Sequence, residues 1–294
     1  MSVYASVLFG SKVRNNTDIF SDNDLLIVCS DEERTNSILS QLYENYNITY
    51  FSKNQLDRMK SKGSLFLQHI KKDGIVLFDK NNYLKRFLLD LDFIEPSKNE
   101  INRCESTISF INTIPNNELL SFWKADFTYC VSRDYLIKKL AEKKLLAFGI
   151  DEIEGMAIEN FGFSFKEMSL LKELRVYKAL NRDCKLNYKS IDNNRLNFCI
   201  NEWLFILMTR MSINHECIHN NLLDCLFNRK YVSTYESLRC LEGIYTLVED
   251  KKINHIEHNV ILNYIKLPNL YRSLQIKKWD SIKKYINDMR CFLY

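Results

Sequence analysis

Five consecutive apolar residues, Leu25-Leu-Ile-Val-Cys29, constrain the start of this chain more than any other feature. An uninterrupted apolar run of this length is the pattern of a strand covered on both faces, so it demands a sheet with material packed above and below it. The flanking sequence supplies the parts. Val3-Tyr-Ala-Ser-Val-Leu-Phe9 is a β-prone run that stops at Gly10-Ser11. Ser30 and Glu33 form a capping-box pattern that predicts a helix to about Tyr46, and Ile48-Thr-Tyr-Phe51 reads as a third strand. Ser52 with Gln55 opens a short helix ending near Gly63, Ser64 to Lys72 reads as another, and Gly74-Ile-Val-Leu-Phe78 as a last strand or extended segment. The order predicts an α+β domain with a small mixed sheet over residues 1–95.

From about Glu95 the periodicity changes. Pro96 and Pro115 bracket what reads as a polar connecting stretch, and beyond it apolar residues recur at helical spacing. Leu119, Phe122, Trp123, Phe127 and Val131 form one such face, and Leu170, Leu171, Leu174, Tyr177 and Leu180 another. Ser164 and Glu167 repeat the capping-box pattern. Further helices are predicted over Leu196–Met211, Leu222–Arg229, Tyr235–Val248, Asn259–Ile265 and Ile276–Met289. With only 7 Gly and 3 Pro in 294 residues there are few helix breakers, so residues 96–294 are expected to form an all-α helical bundle domain.

Composition excludes more than it names. The longest apolar run, Trp203–Met208, is far short of the roughly 20 residues a membrane span needs and reads as a buried helix. The first residues carry no basic segment of the kind that opens a secretory signal. Nine scattered cysteines contain no CxxC pair, which disfavours a zinc ribbon or disulfide framework and fits buried thiols in a reducing compartment. A cytoplasmic protein with no membrane association is expected. The net charge of +4, from 41 basic and 37 acidic residues, permits a polyanionic partner without requiring one.

The chemistry concentrates between the first two strands. A strand ending in Gly10-Ser11 lets backbone N–H groups approach a ligand closely, and such a turn suits a polyphosphate. Lys12 and Arg14 add positive charge beside it. Asp22 and Asp24, two apart at the head of an apolar strand, project their carboxylates to the same face. Paired carboxylates aimed at a polyphosphate suit Mg2+, which neutralises the phosphates and orients an in-line attack. The chance expectation for this spacing is roughly 0.002 in such a composition.

Gly10-Ser11, ten residues, then Asp22-x-Asp24 resembles the signature of the nucleotidyltransferase superfamily related to DNA polymerase β. Within it, residues 1–95 are similar to the minimal nucleotidyltransferase domains of bacteria. Gly63 to Asp79 resembles the helix and strand that close such domains. The helical remainder loosely resembles the bundles found in kanamycin nucleotidyltransferase and HEPN proteins. The resemblance implies an enzyme that moves a nucleoside monophosphate from an NTP to a hydroxyl on a protein or RNA end. It implies Mg2+ as cofactor, Asp22 and Asp24 as catalytic and metal-binding residues, and Gly10, Ser11, Lys12 and Arg14 as nucleotide-binding ones. It also implies a setting in bacterial antiphage defence or toxin–antitoxin systems, with a partner protein and self-association among the outcomes. The superfamily usually adds a third carboxylate on the next strand. Here Ile48–Ser52 carries no acid, and Asp57 and Asp79 are the nearest spare carboxylates. The alternative function is an inactive binding subunit or NTP sensor.

Other signals are weaker. His215-Glu-Cys-Ile-His219 matches HExxH, yet Asn220 and Asn221 follow where a zinc-protease helix needs an apolar face. Arg210 and His215 fit the loose Arg-x4–6-His pattern of HEPN ribonucleases, a pattern expected by chance about 0.7 times in this composition. They define an alternative site. Most Lys pairs read as solvated helix faces, with Ile276–Tyr285 a candidate basic, aromatic surface for RNA. His69 is placed on a helix close to the site, with a core or surface role favoured.

Overall fold

The structure is a computed structural model, and it describes residues 2–10, 13, 23–30, 46–114, 116, 118–182 and 192–214. The helix predicted over residues 30–46 and every element predicted beyond residue 214 lie outside the described residues. So do the HExxH segment and the Ile276–Tyr285 surface. The described residues cluster into two compact units: Met1–Lys98 with Ile137–Met156, and Asn99–Leu136 with the described residues from Ala157 onward.

In the first unit, β1 (Val3–Phe9), β2 (Asn23–Cys29), β3 (Tyr46–Phe51) and β4 (Ile75–Asp79) form one sheet in the order β3-β2-β1-β4. β1 runs antiparallel to β2 and β4, while β2 and β3 are parallel, so the sheet is mixed. The alternation expected of β1 is present: Ala5, Val7 and Phe9 are buried, with partly exposed residues between them. They meet Leu26 and Val28 of β2, and three helices cover that face: α1 (Lys53–Ser61), α2 (Leu65–Asp73) and α3 (Tyr83–Leu89). The helices contribute Leu56, Leu67, Ile70, Leu84 and Phe87 to the core. Burial of each such side chain is worth about 1.5–3 kcal/mol. On the opposite face Leu25, Ile27 and Cys29 form a second apolar cluster with Leu8, Ile48 and Tyr50. Both faces of Leu25–Cys29 are therefore buried, as its unbroken apolar run requires.

Local sequence explains where the helices begin and end. The Ser52 hydroxyl accepts the Gln55 N–H at 3.2 Å while the Gln55 side chain accepts the Ser52 N–H at 2.6 Å, a reciprocal cap at the start of α1. The chain then leaves α1 through Gly63 at φ +66°, where a Cβ would sit 2.5 Å from the Ile94 side chain. Glycine satisfies both the left-handed backbone and the close contact.

The second unit contains α4 (Lys98–Thr113), most of α5 (Glu118–Glu142), the end of α6 (Ile150–Phe161), α7 (Phe165–Arg182) and α8 (Asn193–Arg210). No strand occurs among its described residues. Fully buried Trp203 stacks on Phe163 and donates its indole N–H to the Ser132 hydroxyl at 2.9 Å. Leu196, Ile200, Leu204 and Leu207 continue that face of α8, whereas Phe205 points to solvent. Four of the six residues of Trp203–Met208 are thus buried, and Phe205 turns outward because a helix carries an apolar run around its faces. The Ser164–Glu167 capping box is present at the head of α7.

One expectation is overturned. The stretch between Pro96 and Pro115 is no polar connector; it carries α4, which buries Ile101, Cys104, Ile108 and Ile111. Those positions are three, four and three apart, a helical stripe hidden among Asn, Ser, Thr and Glu.

Candidate functional site

β1 and β2 deliver the two described residues of the motif to the same point. Phe9, the last residue of β1, pairs with Asp24 near the start of β2. Gly10 follows, buried and at φ +89°, and a Cβ there would lie 2.6 Å from Asp24 Oδ2. A side chain at Gly10 would therefore collide with the carboxylate, and only glycine allows this close approach without backbone strain. Residues fourteen apart in sequence become neighbours because the strands between them are antiparallel and in this register.

Asp24 is held from its other side. β3 pairs in parallel with β2 so that Asn47 stands opposite Asp24, and the Asn47 amide donates to Asp24 Oδ1 at 3.4 Å. Asn47 is the site residue that sequence reading missed. No motif marks it, and only the β2–β3 register brings it to Asp24. Ser11, Lys12, Arg14 and Asp22 lie outside the described residues, so the structure places Gly10 and Asp24 alone among the predicted nucleotide and metal residues.

The spare carboxylates are committed elsewhere. Asp79 accepts the Leu84 N–H at 2.8 Å and the Lys85 N–H at 2.9 Å, capping α3 with both oxygens. It pairs with Ala5, four residues along β1 from Phe9, which is about 13 Å at normal strand rise. Asp57 is exposed on α1 and stands near Tyr83. Burial, followed by the charges of Asp57 and Asp79, pushes the Tyr83 hydroxyl up to about 12.

His69 has a packing role. Its ring stacks on Phe148 at 4.6 Å and meets Phe9 edge-on at 5.9 Å, while Nε2 lies 3.3 Å from the Asp73 carboxylate one turn along α2. Arg210, half of the alternative site, ends α8 and donates to Glu167 Oε1 from Nη2 at 2.9 Å. Burial opposes the Glu167 charge, but hydrogen bonds from Ser164 and the Arg210 guanidinium outweigh it and hold the carboxyl below its usual range. His215 lies outside the described residues. Among the described residues no three His, Cys, Asp or Glu side chains group as a metal site, and no helix is long and apolar enough to cross a membrane.

A mixed sheet with a glycine turn set against a strand-borne aspartate defines a class that also emerges from comparison with known proteins. The family model described as Polymerase beta, Nucleotidyltransferase matches residues 1–83, from β1 to the first residue of α3. The matched span contains Gly10, Ser11, Lys12, Arg14, Asp22, Asp24 and Asn47. The match supports placing this domain in the nucleotidyltransferase superfamily. No curated protein and no solved structure matches the chain.

Proposed function

We propose that this protein is a Mg2+-dependent nucleotidyltransferase that moves a nucleoside monophosphate from an NTP to a hydroxyl on a protein or an RNA end. The observation that carries the reading is the Gly10–Asp24 juxtaposition: a side-chain-free turn held so close to a carboxylate that a Cβ would meet its Oδ2 at 2.6 Å. That hard, anionic oxygen donor fits Mg2+, and Asp22, which its spacing in the sequence leads one to expect on the same face, would be the second ligand. A bound Mg2+ supplies charge neutralisation and alignment of the triphosphate. The chain's own part is positional. Backbone N–H groups at Gly10 and Ser11 would hold phosphate oxygens, Lys12 and Arg14 would add charge, and Asn47 would fix the orientation of Asp24. Residues 1–95 form the transfer module in this reading, and 96–294 the helical domain that meets the acceptor. The setting we favour is bacterial antiphage defence or a toxin–antitoxin pair.

The test is incorporation of label from each of the four NTPs into tRNA and protein acceptors. Wild-type protein is expected to label an acceptor, and Asp22→Ala with Asp24→Ala is expected to abolish labelling with the fold retained. Equal labelling by the double variant would overturn the proposal. A second reading, NTP binding without transfer, is favoured by one observation: the neighbour of Asp24 on β3 is an amide, and Asp79 is consumed by a helix cap. Saturable NTP binding with no transfer to any acceptor would select it.

A further inference from the structure

β4 is built like a central strand and placed like an edge one. Ile75, Val76, Leu77 and Phe78 form a continuous apolar run, the composition expected of a strand buried on both faces. In the sheet order β3-β2-β1-β4 this strand has, among the described residues, a neighbour on one side only. All four side chains are 42–50% exposed, and Leu89 of α3 is 70% exposed. Edge strands are ordinarily protected by charge, proline, brevity or a bulge, because a free row of N–H and C=O groups beside apolar side chains recruits another strand. β4 carries one irregularity, a bulge opposite Ser6 and Val7 that adds Leu77 as an extra residue. Its charge is confined to the ends.

The surroundings define what would fit. Beside β4 lies a cleft of about 440 Å3, walled by Ile70, Val76, Leu88 and Leu89 with Lys71 and Lys85 at its lining. Lys80 and Lys85 are exposed and make no ion pair among the described residues. The acids nearby are occupied: Asp79 caps α3 with both oxygens, and Asp73 faces His69. Asp90 stands at the far end of α3. The edge is therefore an apolar strip with a basic border and an apolar side pocket.

We infer that β4 receives an extended, acidic and apolar segment of a partner protein as a fifth strand. Main-chain hydrogen bonds along Ile75–Asp79 would provide the pairing, one apolar side chain would enter the cleft, and alternate carboxylates would meet Lys80 and Lys85. A second copy of this chain is a poorer occupant. Antiparallel self-pairing about Leu77 would set Lys80 of each copy opposite Gly74 of the other, and the nearest acids, Asp73 and Asp79, are already bonded to His69 and to the start of α3. A polynucleotide could use the lysines but not the strand edge. This inference stands independently of the transfer reaction.

The experiment uses full-length protein and fluorescein-labelled 11-residue peptides alternating Val or Ile with either Glu or Lys. Fluorescence anisotropy should show the Glu peptides binding at least about tenfold more tightly than the Lys peptides. Leu77→Lys and, separately, Lys85→Glu should each weaken the Glu peptides about tenfold with unchanged thermal melting. Amide exchange at residues 75–79 should slow when a Glu peptide binds. Equal binding of Glu and Lys peptides, or indifference to both substitutions, would overturn the inference. So would displacement of the Glu peptides by single-stranded RNA, or dimers of the free protein that Leu77→Lys dissolves.

Discussion

Gly10 is where backbone geometry and site chemistry coincide. A left-handed φ of +89° is strained for any residue with a Cβ, at about 1–2 kcal/mol, and here the Cβ would also collide with Asp24 Oδ2. Gly10→Ala should therefore displace the carboxylate rather than merely soften the turn. We expect a loss of about 1–3 kcal/mol in urea unfolding and at least tenfold weaker NTP binding by isothermal titration. Full NTP affinity in this variant would show that the turn does not border the ligand. At this scale the sequence marked Gly10 and Asp24, which the structure brings together, because a glycine at a strand end and an aspartate at a strand head are chemically distinctive. Asn47 was not legible, since an asparagine on a strand gives no sign of which residue it will face.

At the scale of elements, the cap of α3 gives Asp79 a structural role. α3 has seven residues, too short to persist without help, and Asp79 satisfies two of its first N–H groups. Asp79→Ala should cost about 0.5–2 kcal/mol in stability, the usual value of a lost cap, while NTP binding and any transfer per folded molecule stay unchanged. Loss of transfer in a fully folded Asp79→Ala protein would place that carboxylate back in the reaction. The four strands, the Ser52–Gln55 and Ser164–Glu167 capping boxes and the Gly63 stop were readable, because each depends on residues within one turn or one alternation of each other. α4 was misread as a connector. Its buried stripe of Ile101, Cys104, Ile108 and Ile111 is sparse, and the polar residues between them dominate a linear reading although Ser106 and Thr107 bond back to the helix and Ser109 is buried against the Asn214 carbonyl.

For the whole molecule, acid sensitivity follows from three carboxylates. For Glu152, burial opposes the charge, but Lys72 and the Phe148 and Gly149 N–H groups outweigh it. For Glu173, burial is likewise outweighed, here by Arg195 and the Tyr177 hydroxyl. Glu167 is held down by Ser164 and Arg210 against its own burial. All three lie below their ordinary value of 4.5 in the folded protein. As pH falls, the unfolded chain takes up protons at these sites first. The stabilisation is thus complete above about 4.5 and is lost as pH drops through the lower, folded values. Urea midpoints measured from pH 7 to pH 3 should be flat at first and then fall. A midpoint that rises on acidification would contradict these pairings.

The sequence by itself determined where the four strands and the helices α1 and α2 lie and the burial of both faces of Leu25–Cys29, and it marked the residues expected to serve a polyphosphate; α3 it did not announce. These are local properties, set by side-chain period, capping and the freedom of glycine. Tertiary structure decided which of those residues meet. It set Gly10 against Asp24, put Asn47 rather than an acid on the neighbouring strand, and spent Asp79 on a helix cap. It also left the most apolar short run after β2 on the rim of the sheet. Pairing register and strand order are products of the whole packed sheet, and no single stretch of chain encodes them.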